Sequence, residues 1–199
     1  MSSEWTPIAG ETPIDPSHLK NKTITTRAKL NAAEAENIRK PFVKYLVDRP
    51  TKRVAPFDFA WFCKLHAEMF GNVWLWAGQP RTADLNIGVP WHQVVSQLMA
   101  LTDDVSHWGT VAAFPPLEVA SRLHYRAAAV HPFMNGNGRW ARMLANIWLH
   151  QNNEAVVRWP EHTIGNVSTI RDEYLAALRE ADQGQFKALI ELHRKFANE

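Results

Sequence analysis

The stretch HPFMNGNGRWAR, residues 131–142, places a histidine, an asparagine- and glycine-rich turn and two arginines within twelve positions. Its glycine turn, residues 136–138, leads straight into a helical pattern, and the first turn of a helix leaves backbone N–H groups unpaired at the positive end of the helix dipole. Glycines let a phosphate approach that backbone closely, so the junction is a predicted anion site. Arg139 and Arg142 are three residues apart and share one helix face that a polyphosphate could reach.

His131 precedes this turn by five residues. A histidine can act as a general base on a hydroxyl near neutral pH. Taken alone, each part has an ordinary structural explanation, because Gly-Asn-Gly is a common turn and an arginine pair is often a solvated helix face. The combination within one short stretch favours a catalytic loop that handles phosphate.

The length and composition indicate a single soluble domain or one domain with an added arm. The chain has 199 residues, and 46% hydrophobic residues with nine tryptophans are sufficient for a well-packed core. It contains no run of about 18 uncharged apolar residues, so we expect no membrane span. The start, MSSEWTPIAGETPIDP, lacks the features of a secretory signal, and Cys63 is the only cysteine. These features predict a cytoplasmic protein.

Positive charge is concentrated in one segment. Residues 20–53 contain ten lysines or arginines against three acidic residues, whereas the net charge of the whole chain is +2. Such a segment suits an acidic partner or nucleic acid, but a solvated helix face is the simpler interpretation. We therefore expect no nucleic-acid partner.

Hydrophobic periodicity predicts a mainly α chain after an irregular arm over residues 1–22. Residues 72–90, NVWLWAGQPRTADLNIGVP, carry glycines, prolines and short β-type runs and predict a loop with a small hairpin. A kink or a division into two helices is expected at Pro41. Helices are predicted from Thr25 or Thr26 to Val47, from about Asp58 to a left-handed stop at Gly71, and over residues 91–107, 116–130, 138–151, 166–182 and 185–197.

The stretch at 131–142 resembles the signature of the Fic family, His-x-Phe-x-(Asp/Glu)-Gly-Asn-Gly-Arg-x-x-Arg. WLWAGQPRTADLNIGV, residues 74–89, looks like the segment that leads into the flap of that family, and residues 169–196 are similar to the helices that close its nucleotide pocket. The resemblance implies a mainly α, Fic-type helical domain over residues 55–199, with a small β-hairpin flap. Residues 1–54 would form an N-terminal arm and a candidate inhibitory helix.

GETPIDPSHLKNKTITTRAKLNAAEAENIRK, residues 10–40, resembles the bacterial branch of the family called mobile mystery protein B. That branch is found beside a helix-turn-helix partner on mobile elements. The resemblance therefore implies a bacterial protein with such a genetic partner.

The resemblance implies a protein adenylyltransferase, a nucleotidyltransferase that moves AMP from ATP to a Ser, Thr or Tyr hydroxyl of a target protein (AMPylation), with Mg²⁺ at the nucleotide. His131 would deprotonate the target hydroxyl, and Phe133 would anchor the loop from beneath. Arg139 would hold the β-phosphate and Arg142 the γ-phosphate. The remaining implied residues are Gly136, Asn137 and Gly138 in the anion cradle, and Ile87, Gly88 and Val89 on the flap that clamps the target.

Asn135 departs from the family pattern, because it occupies the acidic position that helps to hold Mg²⁺. An amide oxygen can bind this hard cation, but without the negative charge of a carboxylate. We therefore expect weaker metal binding at Asn135 and an attenuated reaction.

Many members of the family carry an inhibitory helix with the pattern (Ser/Thr)-x-x-x-Glu-(Gly/Asn), whose glutamate pairs with the second arginine of the motif. Here Glu36-Asn37 matches its last two positions, but Ala32 stands where Ser or Thr belongs. Glu34 is a competing candidate two residues earlier. Both glutamates also fit an ordinary exposed helix face.

Three functions remain open at this point. The first is protein adenylyl transfer, and the second is a weakly active or inactive module that binds a nucleotide or a partner. The third is transfer from another donor, such as one that supplies phosphate, UMP or phosphocholine. Arg139 and Arg142 favour a nucleoside triphosphate, and His131 favours catalysis because a pure binding module needs no base.

Overall fold

The computed structural model describes Trp5 and residues 11–111 and 114–197. In these residues the β pairing is one isolated antiparallel bridge, between Leu19 and Trp74. None of the described helices is both long and apolar enough to cross a membrane. The helices are α1 (Arg27–Leu46), α2 (Phe59–Phe70), α3 (Val94–Val111), α4 (Pro116–Val130), α5 (Asn137–Gln151), α6 (Glu161–Ile164), α7 (Thr169–Asp182) and α8 (Lys187–Ala197). The mainly α prediction is confirmed.

The hairpin predicted within residues 72–90 is wrong, because the described residues there form turns and bends, and their β pairing is the single bridge from Trp74 to Leu19 outside the segment. Side chains form hydrogen bonds with the backbone groups that strand pairing in a hairpin would need. The Arg81 guanidinium donates to the carbonyl oxygens of Ala83 (2.9 Å) and Val89, and the Asp84 carboxylate accepts the N–H of Trp91 at 2.7 Å. The segment is therefore an ordered loop held by side-chain hydrogen bonds.

Local signals explain most helix ends. Thr26 and Asp58 cap α1 and α2 by accepting hydrogen bonds from the N–H groups of residues 29 and 61, as their residue types predict. Gly71 does end α2, but with φ −68° it is right-handed and not the left-handed stop that was expected. α1 continues through the buried Pro41, so two separate helices do not form.

α4 and α5, joined by residues 131–136, pack against each other more extensively than any other pair of described helices. α5 is buried on nearly every side, with Trp140, Leu144 and Ile147 fully enclosed. A helix enclosed in this way cannot shift without opening the core, so the residues at its N-terminus are held in place by packing on all sides.

The described residues that precede α2 belong to the same core. α1 packs against α2 and α5, and it buries Leu30 and Tyr45. The Tyr45 hydroxyl accepts a hydrogen bond from the Trp61 indole at 3.3 Å. Before α1, Leu19 is buried where it bridges Trp74, so the described part of the arm is tied to the loop that follows α2.

Three histidines are fully enclosed in this core: His66 in α2, His124 in α4 and His193 in α8. Burial lowers the pKa of His66 and of His193 to about 3, and the pKa of His124 lies well below its ordinary range for the same reason. All three are therefore neutral when the chain is folded at neutral pH.

We predict that acid destabilises the fold through these histidines. In the unfolded chain each binds a proton at about pH 6.5, whereas the folded chain excludes that proton until far lower pH. Their contribution to stability is complete above about pH 6.5 and is lost as the pH falls towards 3. Each contributes a slope of about 1.4 kcal/mol per pH unit to the free energy of unfolding.

Urea denaturation at several pH values between about 7 and 5 measures this slope. His193→Gln, whose amide oxygen can still accept a hydrogen bond, should lower the slope by one histidine, and the exposed His92→Gln is the control substitution. Equal slopes for wild type and His193→Gln would contradict the assignment.

Candidate active site

The loop between α4 and α5 is anchored by Phe133, which is fully buried in the position predicted beneath the loop. Its ring stacks on the imidazole of His66, with ring centroids 3.7 Å apart and 16° between the planes. The Gly78 N–H donates to His66 Nδ1, so Nε2 carries the proton and donates to the carbonyl oxygen of Asn135, 3.0 Å away. His66 thus supports the loop both by stacking and by hydrogen bonding.

Asn137 closes the same loop with its side chain. Its Oδ1 accepts the N–H of Phe133 at 2.9 Å, and its Nδ2 donates to the carbonyl oxygen of Phe133 at 2.8 Å. The side chain is therefore occupied within the loop, and what Asn137 can offer to an anion is its backbone N–H in the first turn of α5.

Gly136 has a left-handed backbone with φ +77° and directly precedes α5. A Cβ atom at this position would lie 2.5 Å from the ring of Phe70, so both the conformation and the space require glycine. The N–H of Gly136 is held by Asn135 Oδ1 at 2.6 Å. The same Phe70 ring lies beneath the guanidinium of Arg139, whose Cζ is 4.9 Å from the ring centroid.

His131 ends α4 in a left-handed conformation with φ +50°. Burial, and next the positive charge of Arg81, lower the pKa of His131 to about 4, and a hydrogen bond to the backbone of Ala128 opposes the shift. The imidazole is therefore neutral at pH 7. Its Nε2 lies 3.1 Å from the hydroxyl oxygen of Thr12, a residue of the N-terminal arm.

Arg81 joins the predicted flap to the histidine. Its buried guanidinium donates through Nε to the carbonyl oxygen of His131 at 2.7 Å and through Nη2 to that of Val89. Gly88, with φ +102°, packs so closely that a Cβ there would lie 2.6 Å from the Cβ of His131. Residues 87–89 are thus brought against the histidine, although as a loop and not as a hairpin.

Each motif arginine is paired with a carboxylate. Arg139 Nη1 donates to Glu34 Oε2 at 2.7 Å, and Arg142 Nε donates to Glu161 Oε1 at 2.7 Å. Arg142 is buried, which lowers the pKa of its guanidinium, but the Glu161 carboxylate more than offsets this and the net pKa lies above its ordinary value. Both arginines are positively charged, and each would have to release its carboxylate partner in order to bind a phosphate.

The prediction that Glu36 is the glutamate that pairs with a motif arginine is wrong. Its carboxylate lies in solvent and pairs with Arg39, with 3.0 Å between Arg39 Nη2 and Glu36 Oε1. Glu34 lies on the buried face of α1 and accepts hydrogen bonds from Arg139 and from the Trp74 indole, the latter at 2.7 Å. The pairing also differs from the expected one, because Glu34 contacts the first arginine and not Arg142.

A buried polar chain leads away from Arg142. Arg142 Nη1 donates to the Tyr174 hydroxyl at 3.2 Å, and the oxygen of that hydroxyl lies 2.9 Å from His124 Nε2. His124 Nδ1 in turn lies 3.0 Å from His193 Nε2. Two neutral histidines thus extend a continuous line of hydrogen-bonded groups from the arginine.

Sequence reasoning missed four participants: Thr12, His66, Arg81 and Glu161. His66 and Arg81 carried a detectable signal, because each is a polar residue within an apolar or turn-rich stretch close to the resembling segments. Thr12 and Glu161 reach the site from far along the chain, and no spacing in the sequence points to either.

The residues present offer a divalent cation little. Among the described residues there is no group of three or more His, Cys, Asp or Glu that could hold a metal ion. Asn135 contributes one neutral oxygen, which already accepts the N–H of Gly136. A Mg²⁺ ion here would depend mainly on oxygens supplied by a bound nucleotide.

A neutral, partly buried histidine, a glycine-framed helix N-terminus and two arginines thus lie together in one helical domain. Residues 56–149 match the model of the Fic/DOC family. This part of the chain is therefore a domain of the Fic/DOC type.

Curated relatives and solved structures agree with this family. The chain is 32% identical over 132 residues to protein adenylyltransferase fic-1 of Caenorhabditis briggsae, and this match covers 64% of this chain and 24% of that protein. It is 31% identical over the same length to the protein adenylyltransferase fic-1 of Caenorhabditis elegans. The match thus spans about a quarter of these relatives. The fold is similar to BepC of Bartonella tribocorum with bound AMPPNP (TM-score 0.64, 20% identity, 90% of this chain and 92% of that chain). It is also similar to Fic-1 of C. elegans (TM-score 0.63, 24% identity, 87% and 50%).

We predict that Gly136→Ala destabilises the protein, because a Cβ at φ +77° strains the backbone and meets the Phe70 ring. The expected loss is about 1–3 kcal/mol in the free energy of unfolding, measured by urea denaturation. Gly109→Ala is the matched control, since Gly109 lies in α3 with open space around its Cβ position. That change should stabilise the chain by about 0.5–1 kcal/mol. A neutral Gly136→Ala would show that the loop can move away from Phe70.

Proposed function

We propose that this protein is an adenylyltransferase that transfers AMP from ATP to a Ser, Thr or Tyr hydroxyl of a target protein. The observation that carries the proposal is the neutral His131, whose Nε2 lies at hydrogen-bond distance from a hydroxyl at the entrance to the anion-binding turn of α5. The names of the relatives as protein adenylyltransferases and the AMPPNP bound to BepC support the choice of ATP.

The proposed reaction uses His131 as a general base. Its Nε2 takes the proton of the target hydroxyl while the hydroxyl oxygen attacks the α-phosphorus of ATP, and pyrophosphate leaves. The backbone N–H groups of residues 137–139 and the side chains of Arg139 and Arg142 would stabilise the phosphates. Phosphoryl-group transfer depends mainly on such positioning and charge neutralisation, so no covalent intermediate with the protein is needed.

The loop of residues 79–90 would bind the target. Arg81 fixes this loop to the backbone of His131, so a target chain that pairs with residues 87–89 has its hydroxyl held near the base. Extended peptides commonly bind by main-chain pairing, and alternate side chains then supply specificity.

Mg²⁺, where bound, would be held by Asn135 and the nucleotide and would neutralise charge on the phosphates. We also propose that the protein is bacterial and cytoplasmic, belongs to the mobile mystery protein B branch and has a helix-turn-helix partner. The segment 10–40 supports this assignment.

Glu34 is the proposed inhibitory residue. Its carboxylate holds Arg139, which the nucleotide's β-phosphate would need, and it is itself held by the Trp74 indole. The nucleotide and Glu34 therefore compete for one guanidinium. Glu161 holds Arg142 in the same way, but its side chain is about half exposed and is displaced more easily.

We predict that His131→Ala lowers transfer by about 100-fold or more, because removal of a general base costs at least that factor. The measurement is label transfer from ATP labelled on its α-phosphate to proteins of a bacterial lysate. The exposed His92→Ala is the control. Label that persists unchanged in His131→Ala would exclude His131 as the base. Nucleotide binding without transfer by wild type would favour the alternative function, a nucleotide- or partner-binding module.

We predict that Asn135→Asp raises the transfer rate or lowers the Mg²⁺ concentration at half-maximal rate, because a carboxylate adds the charge that the amide lacks. The measurement is the same transfer assay across a Mg²⁺ titration. Coincident titrations for wild type and Asn135→Asp would show that Asn135 does not limit metal binding.

We predict that Glu34→Gln increases transfer several-fold and lowers the KM for ATP. Glutamine keeps an acceptor for the Trp74 indole and removes the charge that competes with the β-phosphate. Glu36→Gln, on the solvent face of the same helix, is the matched control and should behave as wild type. Equal KM values for Glu34→Gln and wild type would rule out competition at Arg139.

A further inference from the structure

Glu11 and Thr12 of the N-terminal arm lie at the active site. The hydroxyl oxygen of Thr12 lies 3.1 Å from His131 Nε2, and only 5% of the surface of Thr12 is exposed. A threonine hydroxyl therefore occupies the position where the proposed reaction requires the target hydroxyl.

The residues around Thr12 hold its backbone as a bound peptide would be held. Asn135 Nδ2 donates to the carbonyl oxygen of Thr12 at 3.4 Å, and Asn86 Nδ2 donates to that of Glu11 at 3.3 Å. One contact comes from the catalytic loop and the other from the loop of residues 79–90. The arm is thus bound between the two elements to which the target chain is assigned.

An ion pair fixes the arm at its other side. Arg27, in the first turn of α1, donates to both oxygens of the Glu11 carboxylate, at 2.7 and 3.1 Å. Both side chains are mostly buried, so this pair is shielded from the solvent that weakens surface ion pairs. The ion pair thereby holds Thr12 beside His131. Because the arm is part of the same chain, it needs no separate binding affinity for the site.

The Thr12 hydroxyl and the His131 ring are placed for the hydrogen bond that the chemistry needs. A neutral imidazole has one donor and one acceptor nitrogen. In the tautomer that carries its proton on Nδ1, Nε2 is the acceptor and the Thr12 hydroxyl donates to it. A hydroxyl that donates to a neutral base is arranged as a nucleophile before deprotonation.

We propose that Thr12 is a modification site, at which the chain transfers a nucleotide from a nucleoside triphosphate to its own hydroxyl. The inference rests on the proposed function. In the step, the Thr12 Oγ1–H proton passes to His131 Nε2, Oγ1 forms a bond to the α-phosphorus, and the bond from that phosphorus to the bridging oxygen breaks. Pyrophosphate leaves with the electron pair, so atoms and charges balance.

The test uses the full chain with ATP and Mg²⁺, followed by intact mass and peptide mapping. Wild type, and Glu34→Gln as a second background, should gain one AMP unit on the peptide that contains Thr12. Thr12→Val keeps the shape of the side chain and should lose this label, whereas Thr12→Ser keeps a hydroxyl and should retain it. Thermal unfolding of each variant confirms that it is folded.

A mixing experiment tests whether transfer occurs within one chain. The fraction modified per unit time should not depend on protein concentration, and a mass-tagged His131→Ala chain mixed with dilute wild type should stay unmodified. Modification of that tagged chain at the rate of wild type would contradict transfer within one chain.

The outcomes separate this inference from the proposed function. Equal labelling of Thr12→Val and wild type would overturn the assignment of Thr12. Label on lysate proteins that depends on His131, with Thr12 unmodified throughout, would overturn it as well and leave the adenylyltransferase function standing. The absence of label from both the chain and the lysate would overturn both.

Discussion

The contact between the backbone of Gly136 and the ring of Phe70 is the constraint on which the site depends. It fixes the loop against the end of α2, and α5 begins at the next residue. The same ring lies under the Arg139 guanidinium, so one aromatic side chain positions both the glycine of the anion cradle and an arginine. On the other side of the loop, the stack of Phe133 on His66 completes the support. The loop of residues 131–136 is therefore held by packing from two residues of a single helix.

Electrostatic balance governs what this site can accept. Arg142 is buried and charged, and a buried charge is strongly unfavourable without a partner. Glu161 supplies that partner here, as Glu34 does for Arg139. A ligand that displaces the two carboxylates must bring negative charge of its own, and a neutral molecule would leave both arginines uncompensated. The two arginine–glutamate pairs therefore favour the binding of polyanions over that of neutral ligands.

Much of the fold could be predicted from the sequence, because its helices are long, periodic and locally capped. In α1, the match to the family's inhibitory motif and the helical spacing of the buried residues pointed to different glutamates. The buried residues Leu30, Glu34, Asn37 and Pro41 follow a helical spacing of three or four, which puts residue 34 on the core face and residue 36 in solvent. Giving weight to that spacing would have selected Glu34, whereas the two-letter match Glu-Asn selected Glu36.

The remaining differences have a long-range origin. A β-type run in residues 72–90 predicted a hairpin, but such a run forms strand pairs only where its backbone carbonyl oxygens are free to accept hydrogen bonds. Arg81 binds two of these oxygens, and it also donates to the backbone of His131, fifty residues away. Thr12 and Glu161 likewise enter the site through the tertiary fold. Local sequence patterns carry no information about contacts of this separation.

The polar chain from Arg142 through Tyr174 and His124 ends at His193, whose Nδ1 has no hydrogen-bond partner among the described residues. Each group in this chain is hydrogen-bonded to the next, so a change in what the arginine binds alters the electrostatic environment of both imidazoles. His193, on the last helix, becomes a natural spectroscopic reporter, because the ¹⁵N shifts of its ring respond from a distance to what the arginine holds.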